Sequence, residues 1–300
     1  MKIGLIDVDS HRYPNLALMK LSAWHKAQGD TVDWWWSFDH YDRVYMSKVF
    51  DTTYTNDMDD PLNTDELIKG GTGYDLNTKL PEEAEHIYPD YDLYPQYTHD
   101  KAYGFLSRGC PRRCPFCIVG KKEGCQSRKT ADLSEWWRGQ SEIILMDPNL
   151  LACPDRKELL WQLADSGARV DINQGLDCRL LNEELVFLLN QIRIKTVHFA
   201  WDSMTDSDAV LRGLQLYKRL AARRPHGRYG TVYTLVNFDT SLEEDLYRIY
   251  TLRSMGYHPY VMIYDKPHAP KQIRHLQRWC NNRRIFASVP DFRNFDPKQG

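Results

Sequence analysis

The sequence predicts an α/β fold in two parts, a small Rossmann-like domain followed by a larger six-step sheet that is curved or barrel-like. Three observations predict it. Short apolar strand candidates alternate with helical stretches, the pattern of a parallel sheet covered by helices. That alternation lapses over residues 76–101, where Pro81, Pro89 and Pro95 sit among tyrosines and acids. The polar residues that carry chemistry recur directly after successive strand candidates, where α/β sheets place their ligands.

In chain order, Lys2 to Val8 is an apolar strand candidate. A helix is expected from about Pro14 to Gln28, with Leu16, Met19, Leu21 and Trp24 near helical spacing and Gly29 ending it. Thr31–Trp36, Arg43–Phe50 and Asp65–Lys69 follow as short strands, the last stopped by Gly70-Gly71-Thr72-Gly73. Residues 1–75 form the first domain and 76–101 a connecting segment packed on its surface. Residues 102–265 form the second, with strands expected at Tyr103–Ser107, Glu142–Asp147, Arg169–Asn173, Thr196–Trp201, Thr231–Asn237 and Tyr260–Asp265. Residues 266–300 complete the chain as a helix and tail.

The chain has 300 residues, 42% apolar and 27% charged, which is ordinary for a globular protein. No run of eighteen apolar residues suggests a membrane span, and aspartates and a proline interrupt the start before a signal-like core forms, so a cytoplasmic location with no membrane partner is expected. The net charge of −2 hides an asymmetry. Residues 1–100 carry 8 Lys and Arg against 19 Asp and Glu, whereas residues 101–300 carry 31 against 22. The basic part could dock on the acidic part or face an anionic partner such as nucleic acid.

Three of the seven cysteines fall within eight residues, Cys110-Pro-Arg-Arg-Cys114-Pro-Phe-Cys117, directly after a strand candidate. Without an export signal this crowding argues for metal ligation and a reducing compartment, not for disulfides. Soft thiolates suit zinc or iron–sulfur. Zinc wants a fourth ligand, which Cys125 or a histidine would have to supply, whereas an iron–sulfur cube held at three corners keeps one iron open. Cys125, Cys153, Cys178 and Cys280 are scattered and read as single buried thiols, although Cys178 lies in a pocket-lining stretch.

The C-x3-C-x2-C spacing with Phe116 before the third cysteine resembles the radical S-adenosylmethionine superfamily. The resemblance covers roughly residues 103–265 and implies a partial (β/α)6 barrel. It implies a [4Fe–4S] cluster on Cys110, Cys114 and Cys117, S-adenosylmethionine as the second cofactor, and a flavodoxin or ferredoxin as electron donor. The implied reaction is reductive cleavage of S-adenosylmethionine to a 5′-deoxyadenosyl radical, which takes hydrogen from an unidentified substrate. Phe116 would meet the adenine through its backbone. Asp147 or Asn149 would take the methionine amino group, in a segment lacking the family's glycines. Asn173, Gln174 and Arg179 would face the carboxylate or ribose, Arg179 the former. Asp202 and Ser203 would serve the ribose, and Asn237 would lie where the fifth strand passes the adenine. The rival reading is a non-catalytic zinc- or cluster-stabilised nucleic-acid-binding protein.

The first domain resembles the cobalamin-binding domain found before many such barrels. Asp9-Ser-His11-Arg-Tyr-Pro14 is similar to its D-x-H-x-x-G signature, with Pro14 where glycine belongs, and no fifth strand is found. Loss of cobalamin binding is expected, leaving His11 a surface histidine. Trp34-Trp35-Trp36 must divide between two faces of a strand. The basic groups Lys218, Arg219, Arg223, Arg224, His226, Arg228 and Arg274, Arg278, Arg283, Arg284 could contact phosphates or simply be solvated, and Trp279 could pack or stack on a base.

Overall fold

The apolar run at the start of the chain becomes an inner strand of a parallel sheet in a computed structural model, which describes residues 1–10, 12–226 and 229–298. His11 and Arg228, both singled out above, lie outside the described residues. The fold is α/β, and the chain divides into two compact units, Met1–Gly104 with Ala131–Ile143, and Phe105–Thr130 with Ile144–Gly300.

Unit 1 holds β1 (Lys2–Asp7), β2 (Thr31–Trp34), β3 (Tyr41–Ser47) and β4 (Thr64–Gly70) in the order β2-β1-β3-β4, with β1–β2, β1–β3 and β3–β4 all parallel. Helix α1 (Leu16–Ala27) connects β1 to β2, and Asn15 caps it by accepting the Leu18 N–H. Ile3 and Leu5 pack on Leu18 and Leu21 of the helix, while Ile6 turns to the other face with Tyr41, Val44 and Met46. Burial on both faces explains why β1 reads as an unbroken apolar run. Trp35 packs among that second group and donates to Asn63 Oδ1, whereas Trp34 and Trp36 are exposed.

Residues 76–101 do more than connect. They form two short helices, α2 (Glu82–Glu85) and α3 (Pro95–Thr98), before β5 (Lys101–Gly104). Tyr94 is 4% exposed, and its hydroxyl donates to Asp7 Oδ2 at the end of β1. Tyr91 donates to the Trp136 carbonyl at 2.7 Å. Aromatic rings with one polar tip suit positions that bury the ring while the hydroxyl finds a partner, which explains the tyrosine-rich composition.

Unit 2 begins with a hairpin that strand patterning missed. Ser107–Arg108 (β6) pairs antiparallel with Arg128–Lys129 (β7), and α4 (Val119–Lys122) lies in the loop between. Strand β8 (Glu142–Leu145) starts in unit 1 and ends in unit 2. It is followed by β9 (Arg169–Ile172), β10 (Ile194–Thr196), β11 (His198–Ala200), β12 (Thr231–Val236) and β13 (His258–Ile263). The expected fourth strand, Thr196–Trp201, is interrupted at Val197: Thr196 ends β10, which pairs with β9 in a sheet ordered β10-β9-β8, and His198–Ala200 forms β11, which begins a separate parallel sheet, β11-β12-β13.

The helices of unit 2 are α5 (Arg156–Asp165), α6 (Glu183–Gln191), α7 (Ser207–Leu220), α8 (Leu242–Ser254), α9 (Lys271–Asn281) and α10 (Arg283–Ser288). Trp279, fully buried, packs with Val236, Ile249, Val261 and Phe286, so it is a core residue. Beneath the strand ends, fully buried Arg248 donates to the carbonyls of Trp201 and Leu235 and pairs with Asp245 at 2.5 Å. That contact joins the ends of β11 and β12. Among the described residues no helix is long and apolar enough to cross a membrane.

Candidate metal and cofactor site

The three-cysteine motif occupies the loop of the β6–β7 hairpin. At its entrance Asp147, 1% exposed, accepts the backbone N–H of Leu106 at 2.8 Å and of Ser107 at 2.6 Å, and the Ser107 hydroxyl at 2.5 Å. Burial pushes its carboxyl up to about 7, against the pull of these donors. Both oxygens of Asp147 are therefore committed to holding the segment that leads into Cys110. Gly109 makes the next turn with φ +86°, and a side chain there would meet the Gln126 carbonyl at 2.1 Å. Only glycine fits this close approach.

Beyond the turn, Cys110 N–H bonds to the Gly124 carbonyl at 3.2 Å, and Cys117 N–H to the Cys114 carbonyl at 3.0 Å. Arg113 between them takes a left-handed φ of 52°. None of the seven cysteines is in a disulfide, and those of the motif are partly exposed. Burial pushes the Cys114 and Cys117 thiols up, as does their mutual proximity to Cys110 and to Asp202, while Arg179 pulls Cys114 down. Arg179 and Asp202, from two later strand ends, thus lie within electrostatic reach of the motif.

A hydrogen-bonded chain links the same elements. Asn149, 3% exposed, directs Nδ2 to Cys110 Sγ and to Asp177 Oδ2, both at 3.4 Å. Asp177, its side chain 5% exposed, also accepts from Arg112 Nε at 2.6 Å and Arg179 Nε at 2.7 Å. Burial alone would raise its carboxyl, but the two guanidinium groups outweigh that and hold it below the usual range. Arg179 bonds in addition to Asp206. The Oδ1 of Asn149 is buried with no hydrogen-bond partner.

A second group surrounds Phe116, whose ring meets Phe238 edge-on at 5.5 Å, and Phe238 meets Tyr264 at 4.9 Å. Asn237, in a left-handed conformation, donates its amide to the Tyr264 carbonyl and so ties the ends of β12 and β13. Asp202 accepts the Leu235 N–H at 3.1 Å.

Of the residues expected at the site, Asn149, Arg179 and Asp202 are brought to the cysteines. Phe116 and Asn237 are joined through Phe238. The Asn173 N–H donates to the Leu145 carbonyl and its carbonyl accepts the Tyr233 hydroxyl, Gln174 is exposed, and Ser203 caps the turn at Met204–Asp206; among the described residues no hydrogen bond draws these three to the motif. Cys125 donates to the Gly120 carbonyl at 3.8 Å. Cys178 is 1% exposed beneath the pocket-lining turn, and burial pushes its thiol up to about 12.

Arg112 and Asp206 escaped the sequence reading. Arg112 lies inside the motif, where its position was a usable signal; nothing marks Asp206. Among the described residues no group of three His, Cys, Asp or Glu side chains is gathered tightly enough to hold a single metal ion. The donor set still suits a thiolate-held cluster, with three free soft ligands on one loop beside an orphaned buried acceptor.

No known family of sequences matches the chain, and no curated protein matches it.

Proposed function

We propose that this chain is a radical S-adenosylmethionine enzyme whose second unit is the catalytic barrel. The observation that carries the reading is the continuous contact Cys110–Asn149–Asp177–Arg179, which links three successive loops at the first cysteine of the motif. Cys110, Cys114 and Cys117 would hold a [4Fe–4S] cluster. Bound there, it would supply the electron that breaks the C5′–S bond of S-adenosylmethionine, leaving methionine and a 5′-deoxyadenosyl radical.

The protein's own residues supply position and charge. Arg112 and Asp177 clamp the cysteine loop to the turn after β9. Arg179, oriented by Asp177 and Asp206, keeps further guanidinium N–H groups for a carboxylate. Asn149 Oδ1 is an acceptor that a ligand ammonium would satisfy, and leaving such a group unpaired costs about 1–3 kcal/mol. The Phe116–Phe238 pair offers apolar ring surface beside Asn237 for an adenine. The excess of Lys and Arg in residues 101–300 favours an anionic substrate, nucleic acid included. In unit 1, Asp7 accepts the Tyr94 hydroxyl and Asp9 accepts the N–H groups of Val49 and Phe50, so both acids at and just beyond the end of β1 are already engaged, which supports loss of cobalamin binding.

Anaerobic reconstitution tests the reading. About four irons per chain, and 5′-deoxyadenosine formed from S-adenosylmethionine on reduction, are expected, both lost when Cys110, Cys114 and Cys117 are changed to alanine. Stoichiometric zinc without nucleoside product would overturn it and favour the structural nucleic-acid-binding alternative.

A further inference from the structure

We infer that Asn149 is a positioning residue for Cys110 and sets the reduction potential of the cluster through an N–H···S hydrogen bond, an inference that rests on the function proposed above. The orientation of the amide follows from its neighbours. Asp177 is ionised by Arg112 and Arg179, so the Asn149 atom 3.4 Å from its carboxylate must be the donor nitrogen. The same nitrogen lies 3.4 Å from Cys110 Sγ and has a second proton to give. Among the described residues Cys110 is the cysteine of the motif that takes a side-chain N–H, whereas Cys117 is approached by the backbone N–H of Val119.

The contact is held from several directions. The Asn149 carbonyl accepts the Ser127 hydroxyl at 3.0 Å, Asp177 fixes the amide, and the side chain is almost fully removed from water. Reduction of a cluster adds negative charge that spreads onto its thiolate ligands. A donor aimed at one sulfur stabilises the reduced form more than the oxidised form, and burial leaves that effect weakly screened. The sequence could not supply this residue's role, because Asn149 lies 39 positions from Cys110.

The test is an EPR-monitored redox titration of the reconstituted full chain, comparing the native protein with Asn149→Leu and Asn149→Ala. Both variants remove the donor and keep the site neutral; the first keeps the side chain close to its native size and the second introduces no new atoms. Each is expected to shift the midpoint to a more negative potential at unchanged iron content. A midpoint equal to that of the native protein in an iron-replete Asn149→Leu variant overturns the inference while leaving the proposed function standing. If Asn149→Leu fails to fold or to load iron, an unshifted midpoint in an iron-replete Asn149→Ala variant overturns it equally. Failure of the native chain itself to assemble a cluster overturns the function and this inference with it.

Discussion

Replacing Asp147 with alanine isolates what holds the entrance of the cysteine loop. The carboxyl accepts three hydrogen bonds in a site 1% exposed, so its loss strands the N–H groups of Leu106 and Ser107 and the Ser107 hydroxyl. The hydroxyl can rotate to a new partner, but the two backbone donors cannot, and each unsatisfied buried donor costs about 1–3 kcal/mol. Relief from burying a carboxylate offsets part of this, so a net loss of about 2–3 kcal/mol is expected. Ser107→Ala provides the internal scale, because it removes one donor and orphans nothing; it should cost about 1 kcal/mol. The pH dependence has a definite sign. The folded carboxyl titrates near 7, above its unfolded value of about 3.9, so its contribution is fully present below the latter and falls as pH rises through 7. Asp147→Ala should therefore cost more at pH 5 than at pH 8. Urea denaturation at both pH values measures this, and amide exchange at Leu106 and Ser107 should quicken in the variant. An Asp147→Ala variant no less stable than Ser107→Ala, with unchanged exchange, would refute the reasoning.

Three further outcomes are expected. Gly213→Ala on α7 places a methyl 2.0 Å from the Cys178 carbonyl oxygen, a backbone atom that cannot step aside; the overpacking cost of about 1–3 kcal/mol should exceed the helix-propensity gain of about 1 kcal/mol, lowering the thermal midpoint. A single Arg248→Met change leaves Asp245 buried and uncompensated and should cost about 3–5 kcal/mol in denaturant unfolding, most of it recovered in Arg248→Met/Asp245→Leu. Asp177 has the opposite pH sign to Asp147: its folded value is lowered, so its stabilisation is present above about pH 4 and lost as pH falls through that lowered value. Asp177→Asn should flatten the acid limb of the stability profile and reduce stability at pH 7.

Much of the fold is legible in the sequence because local signals agree with the tertiary arrangement. Strand β1, helix α1 with Gly29 beyond it, and the ends of β8, β9, β12 and β13 lie within a few residues of the pattern-based expectation. Where the reading diverged, a non-local contact was responsible. The two-residue strands β6 and β7 are too short for periodicity to reveal and exist because their ends pair around the cysteine loop. The break at Val197 follows a register shift against β9 between Ile194 and Thr196, which no property of residues 194–200 announces. Asp147 looked like a ligand-facing acid because it ends a strand, yet the donors it accepts lie forty residues earlier.

By itself the sequence determined the alternating α/β pattern and the spacing of Cys110, Cys114 and Cys117, because hydrophobic periodicity and ligand spacing are properties of short stretches of chain. Only the tertiary structure decided which polar residues serve those cysteines. The choice among Asp147, Asn149, Asp177 and Arg179 depends on directions and distances between loops far apart in sequence, and hydrogen bonds of about 3 Å discriminate between neighbours that composition and order leave equivalent.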